Sequence, residues 1–174
     1  MSRQVAMKIH RFIGAFSFEK DQVTLTDPAL VHQMGRVLRL QVGESVILCD
    51  GQGTDAQGVI ESMDRKTVIV HIQERRANAS EPTRHVTLYL AILKREHLEL
   101  AVQKATEVGV CEIIPLITAR TIKQNANMER LQTIAREAAE QSGRGRVPVV
   151  HEPMSFEQAC KQRSKNEDSF FFYL

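Results

Sequence analysis

The chain has 174 residues, 43% of them hydrophobic and 25% charged, which excludes a disordered native state and suffices for one ordinary domain or two small ones. A formal charge of +2 neither demands nor excludes nucleic acid, so any such case rests on local clusters. Cys49, Cys111 and Cys160 stand apart without CxxC pairing, no apolar run reaches the length of a membrane span, and MSRQVAMKIHRF lacks the apolar core of a signal peptide, so zinc, a disulfide framework and secretion are not expected and a reducing cytoplasm is.

Along the chain, Met7–Phe18 carries Lys8, His10 and Arg11 beside Phe12, Phe16 and Phe18. Cations interleaved with rings suit a single-stranded RNA surface, charge for phosphate and ring for base, although phenylalanines in a small domain are more often core. Asp27-Pro28 opens a helix, with Asp27 as N-cap and proline at the first helical position. Its apolar face is Leu30, Val31, Met34, Val37 and Leu38, and its other face shows His32, Arg36 and Arg39, a basic stripe able to follow a phosphate backbone. From Gln41 the texture is β. Ser45–Cys49, Asp55–Glu61 and Thr67–Gln73 are rich in alternating Val and Ile, and Asp50-Gly51-Gln52-Gly53 reads as a hairpin connection. Residues 1–74 are therefore expected to form a small all-β barrel with one helix. Residues 75–83, within the polar stretch ERRANASEPT, read as a linker.

Residues 84–174 change period. His85–Leu93, Glu112–Ile117, Val147–Val150 and Ser169–Tyr173 read as strands, and Glu96–Val108, Met128–Ser142 and Ser155–Arg163 as helices. This alternation predicts βαβ units and a parallel sheet, so the second part is α/β. Ligands of such sheets collect at the carboxyl ends of strands, which draws attention to Lys94 and Arg95 after the first strand and to Thr118 and Arg120 after the second. Neither GxGxxG nor GxxxxGK[ST] occurs, which disfavours a generic nucleotide-binding domain. His71, His85, His97 and His151 lack ligand spacing, and no metal is expected.

Two features of this second part suggest a site. Glu137, Gln141 and Arg144 follow i, i+4, i+7 spacing and stack on one polar stripe if their helix runs to Arg144, while Leu131, Ile134, Ala135, Ala138 and Ser142 form the face suited to burial. Glu107 lies in the last turn of its helix, where the carbonyl ends disfavour a negative charge. Lys104 can compensate locally. Arg120 or Arg144 would do so through a bidentate pair and would gather three distant stretches at one place.

In order along the chain, HRF (10–12), HQMGRVLRL (32–40), DGQG (50–53), VQKATEVGV (102–110), IIPLITAR (113–120) and AREAAEQSGRGRVP (135–148) resemble the ribosomal RNA small subunit methyltransferase E family. The resemblance covers almost the whole chain. It implies a PUA-like RNA-binding barrel followed by a SPOUT α/β domain with a trefoil knot, a homodimer, and methylation of N3 of one uridine in 16S rRNA with S-adenosylmethionine as donor. Carried onto this sequence, it makes Arg120 and Arg144 candidates for uracil or phosphate contacts. Glu107 and Gln141 orient them, or Glu107 serves as base for the N3 proton. Arg11, His32, Arg36, Arg39 and Lys94 are the candidate RNA contacts.

The chain departs from the family in one respect. The GPEGG loop and LGxRILRxETA segment that build the methyl-donor pocket are absent, so only part of the SPOUT domain is expected, without the knot and without cofactor-binding residues, and the chain as given is expected to be inactive. The alternatives are an RNA-binding remnant or a structural fragment without catalysis.

Overall fold

The computed structural model describes residues 9–121 and 126–162. By contacts these fall into two compact units: residues up to Thr83 together with Arg136–Val147, and Arg84–Ala135 together with the described residues from Pro148 onward. The division is not the linear one expected, because the segment after the middle of the last long helix belongs with the β-rich first part.

In the first unit, five strands pair in the order β1 (His10–Ile13), β3 (Ser45–Cys49), β4 (Thr54–Met63), β5 (Val68–Ala77), β2 (Gln22–Leu25). β1 runs parallel to β3, and the other pairs are antiparallel. The ladder does not join β1 to β2, yet Phe12 of one end and Val23 and Leu25 of the other share a single core with Val46, Leu48, Ile60, Val68 and Val70. The sheet is therefore wrapped about its core in barrel fashion. Register shifts at Gln57/Gly58 and Ile60/Ser62 bend β4, as bulges do.

α1 (Pro28–His32) begins as its sequence requires, the Asp27 carboxylate accepting from the Ala29 N–H at 2.9 Å with Pro28 just inside. It passes into a π-helical stretch, Gln33–Val37, and Val31 and Met34 bury against the barrel core. Phe12 is fully buried, and Phe16 and Phe18 pack partly against the same core. The rings of the first segment are thus core, not a base-stacking surface. The expected linker is also corrected. Glu74–Ala77 continue β5 against Thr54–Gln57, since a ten-residue neighbour strand offers their backbone a hydrogen-bonding ladder whatever their polarity.

In the second unit, β6 (Thr87–Ala91), β7 (Glu112–Ile117), β8 (Val149–Val150) and β9 (Met154–Ser155) form an all-parallel sheet with β7 at its centre. Ile113–Leu116 are buried without alternation, as a strand covered on both faces demands. α2 (Arg95–Glu107) buries Leu98, Val102, Ala105 and Thr106. Of α3 (Met128–Ser142), Leu131, Ile134 and Ala135 are buried in the part assigned to this unit and Ala138 and Ala139 in the part assigned to the first. In α4 (Phe156–Gln162), Ala159 joins Ile114 and Leu116 in a small core. The strand expected at Ser169–Tyr173 lies outside the described residues.

Candidate functional site

The end of α3 shows how sequence position and chemical role part company. Gly143 adopts φ +74° and ends the helix at Ser142, the left-handed exit that glycine supplies without steric cost. Arg144 N–H returns to Ala139 O at 2.9 Å, and the side chain leaves the Glu137–Gln141 stripe. The expected polar row therefore stops at Gln141, which is exposed with Glu137, while Arg144 is only 2% exposed.

The buried Arg144 guanidinium meets Glu81 within the first unit. Arg144 Nη2 donates to Glu81 Oε2 at 2.9 Å and Nε to Oε1 at 3.3 Å, and Oε1 also accepts the backbone N–H groups of Gly145 and Arg146 at 2.8 and 2.9 Å. Asn78 Nδ2 bridges Gly143 O and Asp55 Oδ2, each at 3.0 Å. Asp55 is held in turn by a bidentate pair with Arg11, at 2.8 and 2.6 Å, and Arg11 Nη2 donates to Arg144 O at 2.8 Å. The DGQG turn closes the arrangement, with Gly53 N–H donating to Gly145 O at 3.0 Å. Gly145 has to be glycine, because a Cβ there would lie 2.6 Å from Asn78 Cβ and 3.1 Å from Gly53 Cα.

Electrostatics agree with the geometry. Burial pushes the Glu81 carboxyl up, but the hydrogen bonds and charge of Arg144 and the N–H groups of Arg146 and Gly145 outweigh it, and the group titrates below its ordinary value. Asp55 behaves likewise, burial being outweighed by Arg11 and Asn78. Glu140 is the opposite case: burial dominates and raises it, although its Oε1 accepts the Ile13 N–H at 2.9 Å.

These facts revise two expectations. Arg11 is not an open phosphate contact, since both its terminal nitrogens are engaged inside the unit and its side chain is 10% exposed. Arg144 is not a substrate contact in this conformation. Sequence reasoning missed Asp55, Asn78 and Glu81, although an aspartate inside a β run is a signal, because strands are depleted in it.

In the second unit, Glu107 is compensated by its own helix. Lys104 Nζ lies 3.0 and 2.8 Å from its carboxylate oxygens, and Gln103 donates at 2.9 Å. These two partners hold the carboxyl below its ordinary value, so the arginine pair drawn from distant stretches is not what answers its charge. Lys94 and Arg120 are both exposed and follow the carboxyl ends of β6 and β7, the parallel pair. The turn carrying Arg120 is closed by Thr121, whose N–H donates to Thr118 O at 3.0 Å and whose hydroxyl accepts the Thr118 N–H at 2.8 Å.

In the first unit, His32, Arg36 and Arg39 are exposed on the α1 and π-helical turn, and none of the three is ion-paired with a described residue. At the other end of the second unit's sheet, Glu112 accepts or shares protons with His85 and His151, both 2.7 Å away. Among the described residues, no cluster of His, Cys, Asp and Glu has metal-holding geometry, and no helix is long and apolar enough to cross a membrane.

Comparison with known proteins matches both units. Residues 79–174 fit a family model described as an RNA methyltransferase domain, and residues 21–73 one described as an RNA methyltransferase PUA domain. Ribosomal RNA small subunit methyltransferase E of Rickettsia conorii is 30% identical over 159 residues, 91% of this chain and 65% of that protein. The Bacillus subtilis protein of the same name is 33% identical over 138 residues, 76% of this chain and 54% of its own length. The chain thus spans less than two thirds of these relatives. Among solved structures, a candidate methyltransferase from Legionella pneumophila with bound SAM superposes with a TM-score of 0.83 at 27% identity, covering 91% of this chain and 68% of that one. A structure described as a candidate RNA methyltransferase from Thermotoga maritima gives 0.70 at 26%, covering 92% and 69%. The PUA-like unit and the parallel α/β unit are those of an RNA methyltransferase, and the chain belongs to the ribosomal RNA small subunit methyltransferase E family.

Proposed function

We propose that the reaction this chain's family fold serves is S-adenosylmethionine-dependent methylation of N3 of a uridine in 16S rRNA, in the cytoplasm and as a homodimer, and that the described residues of this chain contribute RNA binding to it. The observation that carries the reading is the sorting of the arginines. Arg11 and Arg144 are buried against Asp55 and Glu81, whereas Arg36 and Arg39, with His32, stay exposed and out of ion pairs on one turn of the PUA-like unit. Cations left unneutralised on a short segment are what a phosphate backbone requires. Lys94 and Arg120 extend the same chemistry to the carboxyl ends of the parallel strands.

The methyl donor is a different matter. S-adenosylmethionine supplies an electrophilic methyl group, and its charged, nucleoside-sized body needs a backbone cradle with convergent polar groups. Gly109 is the α/β unit's one glycine among the described residues, and its N–H closes the exit of α2 onto Thr106 O at 3.1 Å. No glycine stands in sequence between β6 and α2 or between β7 and α3. The described residues do not fit the donor, and no step is derived through it.

For the substrate side, uridine N3 carries a proton that has to leave, and negative charge then develops on the uracil oxygens. Glu107, kept ionised by Lys104, is a poor base near neutral pH, because an effective base titrates near the working pH. Arg120, which is exposed, remains the residue proposed to meet uracil or phosphate; Gln141, also exposed, keeps the orienting role expected of it, and Arg144 is a positioning residue.

The test is binding of this chain to a 16S rRNA transcript over a salt series, with methyl incorporation from labelled S-adenosylmethionine measured in parallel. Affinity that falls as salt rises, with no incorporation, is expected. Affinity indifferent to salt would remove the phosphate-tracking surface, and incorporation by the chain alone would overturn its assignment as an RNA-binding part.

A further inference from the structure

Arg39 is, among the described residues, the non-glycine residue with a left-handed backbone, φ +55°. That well brings Cβ against the following carbonyl oxygen, which is why glycine is its usual occupant after a helix. The turn around Arg39 is closed by backbone hydrogen bonds. Leu38 N–H donates to Gln33 O and Leu40 N–H to Met34 O, each at 2.9 Å. Met34 and Leu40 are 0% and 8% exposed, so the turn is pinned to the core at both ends and cannot relax the strain by moving. A glycine would satisfy all of this at lower cost. The backbone therefore does not explain the arginine, and the side chain must.

The segment just before it departs from ordinary helix as well. Gln33–Val37 is π-helical, a wide turn that recurs at functional sites. Two uncommon backbone states within seven residues coincide with two exposed arginines that have no ion pair with a described residue, Arg36 and Arg39. Val37 and Val42, 64% and 59% exposed, flank them. Strain that persists in a well-pinned segment points to a contact made by the strained residue.

We infer that Arg39 is a preset phosphate contact: the barrel core holds it in the left-handed state so that its guanidinium stands outward on the Arg36 turn for the backbone of single-stranded or looped RNA, and folding stability is lower for it. The inference rests on the RNA-binding reading above and goes beyond it in assigning the strained backbone to that contact.

The test uses the full chain and a 16S rRNA transcript, with Arg39→Gly, Arg39→Asn, Arg39→Lys and Arg36→Ala. Arg39→Gly and Arg39→Asn both tolerate the left-handed state. They should raise the urea midpoint, weaken RNA binding, and lower the slope of log affinity against log salt by about 0.7, one phosphate's worth for a single strand. Arg39→Lys should keep most of the slope. A lowered midpoint for Arg39→Gly would show that no strain is stored and overturn the inference. Unchanged affinity and slope for Arg39→Gly and Arg39→Asn, with Arg36→Ala still weakening binding, would overturn it while leaving the RNA-binding reading intact. Wild-type binding that ignores salt would instead remove that reading, and the inference with it.

Discussion

Replacing Glu81 by alanine is the sharpest way to ask whether the SGRGR turn is an internal clamp. The carboxylate pairs with Arg144, whose side chain is 3% exposed, and accepts two further backbone N–H groups, from Gly145 and Arg146. Its removal takes the Glu81 carboxylate from a buried guanidinium, a perturbation of up to about 3–5 kcal/mol. Two N–H donors also lose their acceptor, though water reaching Arg146, which is exposed, limits that second loss. Arg144→Met should cost less, because the carboxylate it leaves behind is 16% exposed and keeps the two N–H groups. The double variant Glu81→Ala/Arg144→Met should then be milder than the sum of its single changes by about 1–3 kcal/mol, the coupling of a contacting pair. Urea denaturation followed by far-UV circular dichroism reads all of this, with an unchanged slope against urea confirming that stability alone has moved. A Glu81→Ala variant within about 1 kcal/mol of the parent, below even the charged hydrogen bond it loses, would refute the clamp. Strict additivity would show that Glu81 and Arg144 do not act on each other.

Two further outcomes follow from the partnered carboxylates and from the packing at Gly145. Asp55, Glu81 and Glu112 titrate below their ordinary values in the folded chain, so their stabilisation is fully present above the unfolded carboxylate range near pH ~4 and is lost as pH falls through the folded values. Glu140 is raised by burial, so its ionised form opposes folding at neutral pH. Glu140→Gln should therefore gain stability at pH 7, and the gain should vanish as pH approaches ~4; urea midpoints at pH 7, 5 and 4 check both signs, and a gain that grows on acidification would contradict the assignment. Gly145→Ala should lose about 1–3 kcal/mol by overpacking against Asn78, as thermal unfolding would show, and the same change should cost less on an Asn78→Gly background, where the space the new methyl needs is empty.

The parts of the fold legible in the sequence are those set by local periodicity. Ser45–Cys49, Glu112–Ile117 and Met128–Ser142 form the elements expected at those bounds, because β-branched alternation, a continuous apolar run and a 3.6-residue stripe are each decided by neighbours in sequence. β1 and β2 were not legible. Each has four residues, too few for a periodic signal, and each exists through a partner far along the chain, β1 beside β3 and β2 beside β5. The polar run Glu74–Ala77 failed as a linker for the same reason, since its partner strand and not its composition decides its state.

The candidate site divides along the same line. Lys94 and Arg120 stand where the βα pattern puts them, because following a parallel strand is a topological property. Arg11 and Arg144 do not stand open to a ligand, because the carboxylates that claim them lie 44 and 63 residues away and no spacing rule reaches that far. An ordered set of motifs can therefore identify a family correctly while leaving the role of a residue inside a motif undecided between touching the substrate and holding the turn. Burial is the observation that bears on the choice. A guanidinium that is nearly inaccessible and bidentate to a carboxylate acts on the fold, and one left exposed in a strained turn with no described ion pair is available to act on something else. By that criterion Arg144 acts on the fold, and Arg36 and Arg39 of the HQMGRVLRL turn are the exposed cations that the proposal assigns to RNA.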